Sequence, residues 1–238
     1  MKKLPELQIK LFADGADKEG MLEMYRQPYI KGFTTNPTLM NKAGVSDYEA
    51  FATDIIQAIS DRPISFEVFS DDFNEMERQA LKISEWGENV YVKIPVTNTR
   101  GESSVELVGR LAGAGVKMNV TAMMPLSQVR DVAKVLAGGP SSYLSVFAGR
   151  IADSGRDPVP VMTEAVEICA EYPNIELIWA SPRELLNIFQ ADAIGCHIIT
   201  VTNDVLKKLA LIGKDLHEFS LDTVKMFRDD ALKAGYTL

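Results

Sequence analysis

A chain of 238 residues, 46% of them hydrophobic, holds enough apolar material for one large core, and single α/β barrels commonly fall in this size range. Its net charge of −8 argues against nucleic acid or an anionic membrane as partner, so an anionic substrate must be met by arginines concentrated locally. Cys169 and Cys196 are too few for a disulfide framework, and His197 and His217 too few for a His-based metal site or an evident Ser-His-Asp triad. The opening Met1-Lys2-Lys3-Leu4-Pro5-Glu6 lacks the apolar core of a signal peptide, and no run reaches the length of a membrane-crossing helix. A cytoplasmic protein is the expectation, with neither metal nor cofactor called for.

Along the chain, apolar β-rich runs alternate with segments of helical period. Strands are predicted at 8–13, 29–34, 64–69, 90–96, 117–123, 143–148, 175–180 and 196–202. The helices between and after them are predicted at 17–27, 46–60, 72–86, 101–113, 127–138, 158–171, 183–191, 203–212 and 220–234. Such β–α units with short connections imply a parallel sheet, and closing it into a barrel leaves no edge strand exposed. A doubly wound open sheet is the competing arrangement. No Pro/Gly/Ser linker or charge block marks a boundary, so the expectation is a single (β/α)8 TIM barrel over residues 1–238 with one additional C-terminal helix. That last helix carries an apolar stripe of Leu221, Val224, Phe227, Ala231 and Leu232, to be covered either by its own barrel or by a neighbouring subunit.

In a barrel of this kind chemistry sits at the carboxyl ends of the strands. The first strand ends in Asp14, which is spare because Asp17 is better placed to cap the helix that follows. The second ends in Thr35-Asn36-Pro37, where Asn36 also reads as plain turn chemistry before proline. Glu67 lies inside an apolar strand and needs a partner, because burying an unpaired carboxylate is costly. The fourth strand, Val90-Tyr91-Val92-Lys93-Ile94-Pro95, embeds a lysine in apolar surroundings, and the neutral amine is the form that attacks a carbonyl. The plain structural readings are a lysine that snorkels out of the strand end and a Lys93–Glu67 ion pair. Asn119 and Thr121 stand two apart and share one strand face. The sixth strand runs into Phe147-Ala148-Gly149-Arg150 and the seventh into Ser181-Pro182-Arg183-Glu184. The latter reads as a capping box with proline at the first helical position, a helix start that also suits an anion. Arg150 and Arg183 together read as a clamp for a phosphate.

Three dispersed segments, Phe33-Thr34-Thr35-Asn36-Pro37-Thr38, Tyr91-Val92-Lys93-Ile94-Pro95-Val96 and Phe147-Ala148-Gly149-Arg150-Ile151, resemble the signatures of transaldolases, in the short-chain subfamily related to fructose-6-phosphate aldolases. The resemblance implies a (β/α)8 barrel whose Schiff-base lysine is Lys93. It further implies Asp14 as the acid/base at the cleaved bond, and Glu67 with Thr121 holding a proton-shuttling water. Asn36 and Asn119 would orient the three-carbon fragment, and Arg150, Ser181 and Arg183 would bind a distal phosphate. Members of this subfamily often form pentamers or decamers with the C-terminal helix on a neighbour. In the aldolase branch glutamine stands where this chain has Glu67 and tyrosine where it has Phe147, so both positions look like transaldolase. The segments Met123-Met124-Pro125 and Asp153-Ser154-Gly155-Arg156-Asp157-Pro158 depart from the family pattern. The second lies near the anion site, which leaves the substrate head group open between phosphate and sulfonate.

Overall fold

The fold is closed because β1 pairs with two strands. A computed structural model describes residues 2–237, and in it β1 (Lys10–Asp14) lies between β2 (Ile30–Thr34) and β8 (Ile198–Thr202), all parallel. Between them β3 (Ile64–Glu67), β4 (Val90–Pro95), β5 (Met118–Met123), β6 (Ser142–Val146) and β7 (Ile175–Trp179) follow in sequence order. The open-sheet alternative is thereby excluded. Helices α1 (Lys18–Tyr25), α2 (Pro37–Lys42), α3 (Tyr48–Ala58), α4 (Phe73–Ser84), α5 (Val105–Gly113) and α6 (Leu126–Leu136) occupy the first connections. Helices α7 (Ala148–Asp153), α8 (Pro158–Ala170), α9 (Leu186–Ala193) and α10 (Asn203–Leu206) complete the ring, and α11 (Leu216–Lys233) follows it.

Several expected boundaries move for local reasons. The third strand stops at Glu67 rather than 69, and the sixth at Val146, because Phe147 is already the N-cap of α7. The helix expected from 101 begins at Val105, because residues 97–104 turn back through a Thr97–Ser103 bridge. The expected helix 203–212 is a short α-helix followed by a 3₁₀ turn at Lys207–Leu211. Helix α2 was absent from the sequence expectation; Asn36 caps it and Pro37 opens it, the pairing that favours a helix start. The capping box expected at Ser181 is not formed. Ser181 adopts a left-handed φ of 56°, α9 begins only at Leu186, and the Arg183 and Glu184 N–H groups donate to Asn187 Oδ1 instead.

Period-two alternation separates two cores. Outward residues of the strands pack against the helices in the larger one. Inward residues make a smaller apolar plug of Phe12, Tyr91, Tyr143, Ile178 and Ile198 inside the barrel. Tyr91 stacks on Tyr143 with ring centroids 4.1 Å apart, and Phe12 meets Tyr143 edge-on at 5.8 Å. The plug fixes where polar groups can go. Two residues further along their strands, Phe12, Tyr91, Tyr143 and Ile198 give way to Asp14, Lys93, Ser145 and Thr200, so the polar layer sits on an apolar floor at the carboxyl ends. The stripe on α11 is not covered by its own barrel: Leu221, Val224, Phe227 and Leu232 are exposed.

Gly32 makes room for the plug, since a Cβ there would lie 2.5 Å from Phe12 Cζ. Gly32→Ala is expected to cost about 1–3 kcal/mol through overpacking, read as a lower urea midpoint with an unchanged slope.

Candidate active site

The polar layer opens into a cavity of about 470 Å³ at the carboxyl end of the barrel. Lys93 lies on its floor. The residue is buried, and its ammonium is held on two sides: Nζ donates to the Thr35 carbonyl at 2.8 Å and sits 3.1 Å from Glu67 Oε2. Sheet register brings this about, because Glu67 pairs directly with Lys93 across β3 and β4. The ion pair expected as a plain structural reading therefore exists, and it faces the cavity.

Asp14 lines the same cavity, at the end of β1. It is spare as expected, since Asp17 caps α1 by accepting from Gly20 N. Thr34 Oγ1 donates to Asp14 Oδ1 at 2.7 Å and is 2.5 Å from Thr200 Oγ1, so Thr200 supplies the proton in the second bond. Burial raises the Asp14 carboxyl above its ordinary value, while the Lys93 charge and the Thr34 hydrogen bond pull it back in part. A carboxyl in this setting holds its proton more readily than a solvent-exposed aspartate.

Thr121 also lines the cavity, and its buried Oγ1 finds no protein partner among the described residues. A buried unpaired hydroxyl calls for a ligand or water. Asn119 lies deeper and is fully buried; its Oδ1 accepts from Ser145 Oγ at 2.7 Å and its Nδ2 donates to Ser65 Oγ at 3.1 Å. Asn36 caps α2 through Oδ1, which accepts from Leu39 N, and Asn36 lines the wall. Phe147, Arg150 and Ser181 form the far side. Gly149 permits this wall, because a Cβ there would collide with the Ser181 carbonyl oxygen. Arg183 is placed differently from the expected clamp. It lies off the cavity lining, forming a two-point ion pair with Asp153 through Nε and Nη2 while Nη1 donates to Ser181 O.

Thr34, Ser65, Ser145 and Thr200 were missed from sequence. Each lies on the inward parity of its strand, two residues from another inward position, and that parity is the signal that could have found them. Among the described residues, two non-glycine residues have positive φ, Ala122 at 62° and Ser181 at 56°, and both line the cavity. Such strain concentrates where structure is held for function. Among the described residues no group of three or more His, Cys, Asp and Glu side chains is arranged to hold a metal ion, and no helix is long and apolar enough to cross a membrane.

A closed barrel with a buried lysine, two carboxylates and arginine at the carboxyl ends defines a class of barrel enzymes, and comparison with known proteins gives the family. Residues 11–237 match the family model described as Transaldolase/Fructose-6-phosphate aldolase. A probable transaldolase of Thermoanaerobacter sp. is 32% identical over 228 residues, covering 95% of this chain and 99% of that protein. Probable transaldolases of Caldicellulosiruptor saccharolyticus and Dehalococcoides mccartyi are 35% and 33% identical, over 92% and 84% of this chain and 98% and 90% of theirs. The chain belongs to the transaldolase/fructose-6-phosphate aldolase family. Among solved structures, 3-hexulose-6-phosphate synthase from Salmonella typhimurium aligns with a TM-score of 0.58 at 14% identity, over 82% of this chain and 89% of that one. Orotidine 5'-monophosphate decarboxylase from Metallosphaera sedula aligns at 0.54 and 12%, over 88% and 98%. These two share the fold alone.

The raised Asp14 carboxyl carries a stability consequence. A carboxyl whose folded-state pKa lies above its unfolded value of about 3.9 favours the folded state at acid pH and loses that contribution as pH rises through the folded value. Asp14→Asn is therefore expected to match the wild type in stability below about pH 4 and to exceed it at neutral pH, read from urea titrations at both pH values.

Proposed function

We propose that this chain is a transaldolase that moves a dihydroxyacetone unit from a ketose phosphate, such as fructose 6-phosphate or sedoheptulose 7-phosphate, to an aldose phosphate through a Schiff base on Lys93. The observation that carries the reading is the buried Lys93 Nζ, 3.1 Å from Glu67 Oε2 in a cavity that Asp14 and Thr121 also line. Neutral Lys93 adds to the ketose C2 carbonyl, and Glu67 is placed to take the ammonium proton that must leave first. A water held between Glu67 and Thr121 Oγ1 returns a proton to the carbinolamine hydroxyl, which departs as water and leaves an iminium. The iminium accepts the C3–C4 bonding pair while Asp14 removes the C4 hydroxyl proton, so an aldose leaves and an enamine stays on Lys93. Condensation with the acceptor reverses these steps, Asp14 returning its proton to the new C4 oxygen, and hydrolysis frees the new ketose. Asn36, on the cavity wall, orients the fragment hydroxyls for the second half-reaction, while the buried Asn119 braces Ser145 behind the lining. Arg150 and Ser181, on the cavity wall, hold the distal anion, and that remote binding aligns the reacting carbons.

Phe147 on the cavity wall favours transfer over release, since it offers no hydroxyl to protonate the enamine or admit water. Free dihydroxyacetone from fructose 6-phosphate should be negligible without acceptor, and turnover should begin on adding erythrose 4-phosphate. Phe147→Tyr is expected to raise acceptor-independent release by about tenfold, measured by a coupled assay for free dihydroxyacetone. Release by the wild type at the same rate with and without acceptor would instead identify a fructose-6-phosphate aldolase.

A second reading of the head group has its own observation. Asp153 pairs with Arg183, which reduces the positive charge free to meet an anion. A phosphate monoester carries about −1.5 to −2 at neutral pH, whereas a sulfonate carries a single charge, so a sulfonated ketose such as 6-deoxy-6-sulfofructose fits this balance. Parallel kcat/KM measurements on fructose 6-phosphate and 6-deoxy-6-sulfofructose decide between them: the higher value identifies the head group the site was built for. The exposed apolar stripe of α11 supports assembly as a homo-oligomer, a pentamer or decamer by the family resemblance. The two buried, unpaired cysteines fit the reducing cytoplasm.

A further inference from the structure

The floor of the site depends on a break in the sheet. Strands β2 and β3 pair only at Phe33–Ile64 and Thr34–Ser65, and Thr35 N donates to Ser65 O at 3.1 Å as the last rung. In a parallel ladder the next rung would run from Glu67 N to the Thr35 carbonyl. That carbonyl accepts from Lys93 Nζ instead, at 2.8 Å. Chain direction accounts for the break, because Asn36 is extended before Pro37 and the backbone then enters α2. Glu67 would be left with an unpaired N–H and C=O on the side facing β2, a costly state for partly buried backbone.

One side chain fills both places. Tyr48, the first residue of α3, accepts from Glu67 N and donates to Glu67 O, each at 2.8 Å. Its ring is locked by Phe66 and Phe69 edge-on at 6.3 and 5.6 Å and by Trp86 at 5.8 Å. Burial raises the phenol far above its ordinary value, outweighing the opposing hydrogen bond from Glu67, so the hydroxyl keeps the proton it donates.

We infer that Tyr48 is a positioning residue for the Schiff-base chemistry: its hydroxyl replaces the missing rung to Glu67, and thereby leaves the Thr35 carbonyl free to hold the Lys93 amine. It touches neither substrate nor the reacting atoms. Without the hydroxyl, the Glu67 N–H competes with Lys93 for the Thr35 carbonyl, and both Glu67 and the amine lose their fixed geometry. This inference rests on Lys93 being the Schiff-base lysine.

The test compares wild type, Tyr48→Phe and Trp86→Phe. Tyr48→Phe deletes only the hydroxyl, and Trp86→Phe weakens the same aromatic packing while keeping it. Adduct formation with fructose 6-phosphate and borohydride is followed by intact mass, and steady-state transfer to erythrose 4-phosphate is measured per folded protein. Tyr48→Phe should lower kcat and the trapping rate together by about tenfold or more, with KM within about twofold of wild type. Trp86→Phe should keep near-wild-type kcat. The inference is overturned if Tyr48→Phe keeps wild-type kcat, if its loss falls in KM alone, if Trp86→Phe loses as much, or if Tyr48→Phe does not fold. Absence of any adduct in the wild type would instead overturn the transaldolase reading, so the two failures are distinct.

Discussion

The structure turns on one lysine that is kept out of water yet remains held. Lys93 is buried on the floor of the cavity, with the Glu67 carboxylate on one side and the Thr35 carbonyl on the other. Removing an ammonium from water is costly, and a close carboxylate with a hydrogen-bonded carbonyl offsets that cost only when the geometry is fixed. Everything around the lysine serves that condition. The β3–β4 register sets Glu67 opposite it, and the apolar plug prevents the amine from dropping into the barrel. The interruption of pairing between β2 and β3 supplies the carbonyl.

The plug and the polar layer are two outcomes of one alternation. Inward positions are filled by aromatic and branched residues at the middle of the barrel and by hydroxyl, amide and ionisable groups near the carboxyl ends. Polar groups in that layer answer one another: Thr200 to Thr34 to Asp14 on one side, and Ser145 to Asn119 to Ser65 on the other. Thr121 Oγ1 is the exception, buried and lacking a protein partner among the described residues, where the proposed mechanism calls for a water. Such networks rigidify a site when satisfied, and a single unsatisfied member marks where a ligand belongs.

Strand number and order were legible because parallel strands, covered on both faces, read as apolar runs bounded by turns. Lys93 and Glu67 were legible for the converse reason, as charges inside such runs. Asp14 followed from Asp17 being the better cap, which the structure bears out. Short α2 and α7 were hidden because Asn36-Pro37 and Ala148-Gly149 carry turn-like residues. Hydroxyls at Thr34, Ser65, Ser145 and Thr200 pass for ordinary strand residues until barrel parity is imposed. The contacts of Arg183 with Asp153 and of Tyr48 with Glu67 leave no local trace, because each joins separate elements that only the closed barrel brings together.

The claim on which the account depends is that Lys93 carries the three-carbon unit. Borohydride reduction in the presence of fructose 6-phosphate, followed by peptide mass spectrometry, addresses it directly. The account predicts a reduced dihydroxyacetone adduct on the peptide containing Lys93, absent from Lys93→Met. An unmodified Lys93 under turnover conditions, or an adduct on another lysine, would contradict it.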